Sequence, residues 1–360
     1  MRFPASIRHA LVAVGVGALV LTGAAPSAQA APRDLQEVRN QVRDFQAQAE
    51  SATERYNEAQ VRLRDIESDL TSLERKVTRE KRQLSSISAA VDGLARSAYT
   101  SGGIDASLQV LLADDPNEFL AQAAALDQVA HSQSASLRRT QTARLRLAQA
   151  EAELQQKQDS AKSVRNEMKD AQEEANQRLR DAEGVLSGLE AKERERIAQL
   201  AAKERQAAMA AAAAAARQID QGQAQQSGPS AGGGGFSGGG RAATAVRYAL
   251  AQVGDRYVAA TSGPNTFDCS GLTMTAWRQA GISLPHYSYS QYSKSRKIPL
   301  SQAQPGDLVF YFGGSVHHVG MYIGNGKMVH AANPGEGVVV TDVLGPWYNR
   351  YFTGVGRVLG

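Results

Sequence analysis

The chain has 360 residues, 40 of them Lys or Arg and 36 Asp or Glu, which leaves a net charge of +4 with neutral histidines. That length has room for two or three domains. A single cysteine, Cys269, excludes an internal disulfide framework, and no basic cluster interleaved with aromatics offers nucleic acid a footing.

Residues 1–30 read as a signal peptide. Arg2 and Arg8 precede an apolar run from Ala10 to Ala24, and Ala28-Gln29-Ala30 forms a small-x-small cleavage site. The run is short for a membrane span, although an uncleaved anchor is the competing reading. No cysteine near the site offers a lipid attachment point, and no later stretch is long and apolar enough to cross a bilayer. The expected location is therefore secreted, at the cell wall or otherwise extracytoplasmic, with a soluble or peripherally held product.

Residues 31–220 read as an antiparallel coiled-coil hairpin. Nine consecutive heptads start at Leu35, with a positions running from Leu35 through Val42, Ala49 and Tyr56 to Val91, and d positions from Val38 through Phe45, Ala52 and Ala59 to Leu94. Only Glu80 among the eighteen is polar, so the spacing predicts a supercoiled helix of roughly 90 Å at about 1.5 Å per residue. A weaker series (Leu147, Leu154, Ala161, Met168, Ala175, Ala182 and Leu189), interrupted at Lys157 and Arg178, supplies the returning helix. Between them lies a helical tip, about 100–130, where Ser101-Gly102-Gly103 stops the first helix and Ala106–Leu112 and Pro116–Val129 give two short amphipathic pieces. Leu108, Val110, Leu111, Leu112, Phe119, Leu120 and Leu126 suit either a small capping core or a docking lobe for another protein.

The alanine-rich run 207–216 is a strong helix former that carries little side-chain bulk. A Gly-rich tether at 221–240 follows. This helix is either a passive spacer or a cover that lies over a cleft in the next domain until the coil is engaged.

Residues 241–360 hold ten Lys and Arg against five Asp and Glu, a balance suited to an anionic polymer such as a bacterial wall. Helical periodicity over 242–253 ends at Gly254, and Tyr257 follows in a strand-like Arg-Tyr-Val. Asp268 is a good N-cap for a helix over 271–279, which places Cys269 in its first turn, where the partial positive charge favours thiolate. Val316–Ile323 alternates like a strand, with His318, Gly320 and Tyr322 on one face and His317, Val319, Met321 and Ile323 on the other. A one-residue slip would exchange His317 for His318. His330, on the strand-like run 327–331, is placed to fix the far nitrogen of His318. His286 sits in the polar-aromatic loop 284–292 as a substrate-side or surface residue, and Asp307 reads as a turn former before a strand at 308–312. Cys269 has no Cys-x-x-Cys or His-x-x-x-His partner spacing, so neither metal nor cofactor is expected.

Asp268-Cys269-Ser270-Gly271, the His318-Val319-Gly320-Met321-Tyr322-Ile323-Gly324 strand and a polar residue on the next strand together resemble the NlpC-type cell-wall cysteine peptidases, over about 120 residues. The resemblance implies an α+β chain in which a small papain-like domain with a central antiparallel sheet follows the helical hairpin and Gly-rich linker. It implies Cys269 as nucleophile, His318 as general base and acid, and His330 as orienting residue, where much of the family has a carboxylate or amide. Tyr257 would assist the substrate or oxyanion, and Asp268 and Ser270 would contact the stem peptide. The implied substrate is peptidoglycan, cut between D-isoglutamate and the diamino acid. The order of coil, lobe, returning coil and hydrolase resembles division-associated peptidoglycan hydrolases and activators controlled by an ABC-transporter-like membrane complex, which implies such a partner for the coil. An amidase of the same superfamily, or a coiled-coil activator with an inert domain, are the other readings.

Overall fold

The computed structural model describes residues 35–100, 116–226 and 238–359. Helix α1 (Leu35–Thr100) packs along helix α2 (Pro116–Ser187), which is where the apolar seam has to go. Arg55 pairs with Glu174, Arg62 with Glu167, Lys76 with Glu153 and Lys81 with Glu151. Partner numbers fall as those of α1 rise, so the helices are antiparallel. Ala49, Ala52 and Ala59 of α1 and Ala150, Ala161, Ala171 and Ala175 of α2 are all buried along the seam. These small side chains let the backbones approach. Leu63, Ile66, Leu70 and Leu73 are only half-buried, because two helices alone cannot enclose larger groups.

Several expected boundaries change. Pro116–Val129 is no separate piece but the start of α2. The returning helix stops near Gly188, whose N–H is donated to the Gly184 carbonyl, and the alanine run belongs to a new helix, α3 (Ala191–Gln226). Residues 221–226 and 238–240, read as tether, are helical. The signal peptide, tip residues 101–115 and tether residues 227–237 lie outside the described residues. Among the tip side chains that are described, Leu120 is exposed.

The C-terminal domain opens with helix α4 (Gly238–Ala251), whose chain turns at Gly254 with φ +101°. Strands β1 (Arg256–Tyr257) and β2 (Thr266–Phe267) pair in parallel before helix α5 (Cys269–Gln279) and the short helix α6 (Ser288–Lys294). Six antiparallel strands then form one sheet: β3 (Arg296–Ile298), β4 (Leu308–Tyr311), β5 (His318–Gly324), β6 (Lys327–Asn333), β7 (Gly337–Asp342) and β8 (Phe352–Arg357). Their spatial order is β3-β8-β4-β5-β6-β7. Phe312, expected inside β4, has φ +72° and ends that strand one residue early.

Both faces of the sheet are covered, which defines where side chains of β5 can go. Val319, Met321 and Ile323 meet Val246 and Leu250 of α4 and Leu272, Ala276 and Trp277 of α5 in the main core. Val309, Tyr311 and Met328 form a second cluster with Val343, Tyr348 and Phe352. The alanine face of α3 backs onto this domain from behind: Ala208 meets Ala332 and Val339, and Ala212 and Ala215 join the main core beside α4. The hydrogen-bond contacts of Cys269 run to Glu54 of α1 and to the His317 carbonyl. Small side chains let a helix sit flat on a sheet edge, so the run packs as a buttress, and the helix that reaches the candidate residues Cys269 and His318 is α1.

Candidate active site

Helix α5 begins at Cys269 because Asp268, in extended conformation, accepts the Gly271 N–H on its side chain at 2.7 Å. A Cβ at position 271 would lie 2.2 Å from the Thr261 carbonyl oxygen, so the turn requires glycine there. Strand β5 starts at His318, opposite Tyr311 of β4. His317 falls just before the strand, stacked on Phe312 with its ring nitrogen at the Ser315 carbonyl. The register therefore turns His318 inward and His317 away. Gly320 keeps that face shallow, since a Cβ there would meet Met328 Sδ at 2.7 Å and His330 Cβ at 3.2 Å.

His318 Nε2 lies 2.8 Å from His330 Nδ1, and His330 Nε2 lies 3.0 Å from Thr341 Oγ1. Both imidazoles are fully buried, and Tyr348 stacks on His318 at 5.5 Å. Burial, helped by the neighbouring His318, holds His330 well below the usual histidine range, so it is neutral and serves as a positional partner. Cys269 Sγ, a His318 ring nitrogen and a Glu50 carboxylate oxygen lie within 4.8 Å of one another. Tyr257 is buried beside them, and its Oη has no hydrogen-bond partner among the described residues. Cys269, His318, His330, Tyr257, Asp268 and Ser270 thus converge on one place.

What the sequence reading missed is the set of side chains that α1 puts into this place. Glu50 Oε1 takes His318 Nδ1 at 2.5 Å. Glu54 accepts the Ser270 hydroxyl at 2.6 Å and the Ser288 N–H at 2.5 Å, and its Oε1 is 3.8 Å from Cys269 Sγ. Asn57 donates to Asp268 Oδ2 at 3.1 Å, and the Tyr287 hydroxyl donates to Glu58 at 3.0 Å. In the heptad frame Glu50 and Asn57 are b residues and Glu54 is f, positions that point away from a coiled-coil partner. They are buried here because the outward face of α1 docks on the C-terminal domain.

These carboxylates reverse the expected state of the thiol. Burial raises the Cys269 pKa well above its usual value, and Glu50, Glu54 and Asp268 raise it further. A helix end contributes about half a unit charge at most, too little against three nearby carboxylates and lost water. In this arrangement the sulfur is a thiol. Glu54 is itself raised, first by burial and then by Asp268, with the Ser270 and Ser288 hydrogen bonds opposing. His286, expected as a substrate-side or surface residue, is buried and binds Asp268 at 2.8 Å. Burial works to lower its pKa, but the Asp268 charge and hydrogen bond leave it raised. Asp307 accepts the Gln304 N–H at 2.7 Å and pairs with Arg357, a structural role.

Comparison with known proteins bears on the domain that holds these residues. Residues 254–357 match the model of the NlpC/P60 family. A probable endopeptidase p60 of Listeria monocytogenes is 44% identical over 111 residues, which is 31% of this chain but only 22% of the Listeria protein. The chain therefore spans under a quarter of that relative's length. Among solved structures, the NlpC/p60 domain of the peptidoglycan hydrolase SagA is 32% identical, covering 32% of this chain and 98% of that domain with a TM-score of 0.30. The P60 domain of an antigen from M. avium subspecies paratuberculosis is 30% identical, covering 34% of this chain and 96% of that one, also at 0.30. Residues 254–357, which carry Cys269, His318 and His330, are thus an NlpC/P60 domain.

Proposed function

We propose that the protein is a secreted peptidoglycan endopeptidase that cuts a stem-peptide amide through a thioester on Cys269, and that the full chain is its latent form. The observation that carries the reading is the run of contacts from Cys269 through His318 and His330 to Thr341 on adjoining elements of one fold. With α1 lifted away, Nδ1 of His318 loses Glu50 and is free to take the thiol proton. Its Nε2–H is held by His330 Nδ1, and the His330 hydrogen sits on Nε2 toward Thr341. The sulfur attacks the carbonyl carbon, while the Cys269 backbone N–H and the Tyr257 hydroxyl stand ready for the oxyanion. The imidazolium returns its proton to the leaving amine, and water, activated by the same nitrogen, hydrolyses the thioester. Asp268 and Ser270 line the substrate side.

The resemblance to NlpC-type enzymes supports the bond between D-isoglutamate and the diamino acid. The leader supports export, and the hairpin supports control by a division-associated membrane complex during wall remodelling or daughter-cell separation. Digestion of purified muropeptides, read by mass spectrometry, tests this. A hairpin-free domain is expected to release products whose masses identify an endopeptidase, and Cys269→Ala to lower the rate at least about 10⁴-fold. Cleavage between sugar and peptide instead would mark an amidase. No product from the active-site-intact domain would leave an inert activator.

A further inference from the structure

We propose that the closed junction is a zinc site, in which Glu50 of α1, Cys269 and His318 bind one Zn²⁺ that fastens the hairpin onto the C-terminal domain. The donors are one carboxylate oxygen, one sulfur and one imidazole nitrogen, all buried and within 4.8 Å of one another. Zinc bonds of about 2.0–2.3 Å place tetrahedral ligands roughly 3.3–3.7 Å apart. Glu50 and His318 Nδ1, now at 2.5 Å, would part by about 1 Å to admit the ion, a separation taken from that tetrahedral spacing. The fourth position falls to Glu54, whose Oε1 is already 3.8 Å from the sulfur, or to water.

Charge points the same way. Glu50, Glu54 and Asp268 are buried around the thiol, and no lysine or arginine is buried with them among the described residues. His286 answers only Asp268. A divalent cation supplies what is missing, and a thiolate in the donor set selects zinc over magnesium or calcium. The outer shell is present as well, because His318 Nε2 faces His330 Nδ1 at 2.8 Å, the support a metal-bound imidazole uses. On binding, the thiol proton leaves to solvent. The Nδ1 hydrogen of His318 is replaced by one on Nε2, donated to His330 Nδ1, and the His330 hydrogen moves to Nε2 toward Thr341. One proton is released per ion, and no redox change occurs.

The inference uses the closed geometry alone, so its test reads metal binding and is indifferent to which bond the enzyme cleaves. The reduced, metal-free mature chain is titrated with Co²⁺ and then Zn²⁺. One cobalt per chain with a thiolate-to-cobalt charge-transfer band is expected, displaced by zinc and absent in Cys269→Ser. Glu50→Gln, with helix content checked by circular dichroism, is expected to weaken Zn²⁺ at least tenfold. Zinc is also expected to raise the thermal midpoint of the wild type and not of Cys269→Ser, a measurement that stands if Glu50→Gln folds poorly. Absence of the thiolate band, no thermal shift, or equal affinity in a folded Glu50→Gln chain would overturn the proposal.

Discussion

Two stretches of α1 follow one heptad rule and end in different surroundings. Between residues 61 and 76 the inter-helix ion pairs of α1 all run to α2: the larger seam residues are half-buried, and the flanks carry exposed pairs such as Arg62–Glu167. Between residues 49 and 59 it is enclosed on both sides, by an alanine seam toward α2 and by the active site on the outward face. The difference teaches that heptad position alone does not say which face of such a helix matters. The first stretch is held by apolar packing and screened surface charge. The second is held by polar groups that have lost water and gained specific partners, an arrangement that is selective without being strongly stabilising.

The sharpest way to break that contrast is Glu50→Ala with Glu54→Ala. In the closed state this leaves His318 Nδ1 and the Ser288 N–H buried without acceptors, at about 1–3 kcal/mol each, and the Ser270 hydroxyl with only Asp268 Oδ1 at 3.4 Å. Muropeptide hydrolysis by the full chain is expected to rise about 100-fold toward that of the free domain. An unchanged rate would mean that α1 does not restrain the enzyme.

Ala52→Leu attacks the other side of the same stretch. Ala52 is fully buried in the seam, so overpacking there is expected to destabilise the hairpin by about 1–3 kcal/mol, seen as a lower thermal midpoint.

A smaller effect comes from pH. Closure raises Glu54 above its ordinary value of 4.5, chiefly through burial, so the closed form is favoured by protonated Glu54. That support is complete below about 4.5 and is lost as pH rises through the raised value. The wild-type rate divided by the Glu54→Gln rate is expected to climb with pH across that window. A flat ratio would remove Glu54 from the latch. Smallest is Arg62→Ala, an exposed pair, expected to change hairpin stability by less than about 1 kcal/mol in denaturant titration.

Much of the site was legible from the chain itself. Asp268 as cap and Cys269 in the first turn follow from local chemistry, and β-alternation placed His318 opposite Val319. The register between His317 and His318 needed the β4 pairing, a non-local fact. The outward docking of α1 left one trace. Glu50, Glu54 and Glu58 recur at four-residue steps, and such like-charge neighbours weaken an isolated helix by a few tenths of a kcal/mol per pair. An uncompensated acidic stripe suggests a partner, but not which one, because the partner's residues lie over two hundred positions away. The thiol state was missed for the same reason: the helix-end argument is local, while the burial of the sulfur and two of the three opposing carboxylates, Glu50 and Glu54, come with the docking of α1.

That stripe also limits how the proposed latent form could open. Sliding α1 along its axis by four residues, about 6 Å, would carry Glu54 to the place Glu50 occupies and Glu58 to that of Glu54, restoring an acid over His318 and Ser270, while Arg62 would replace Glu58 at Tyr287. Traction along the hairpin therefore exchanges one blocked register for another, whereas a sideways tilt withdraws all three acids together. On the proposed latency, a factor that acts through the distal end of the hairpin has to work as a lever and not as a tow line.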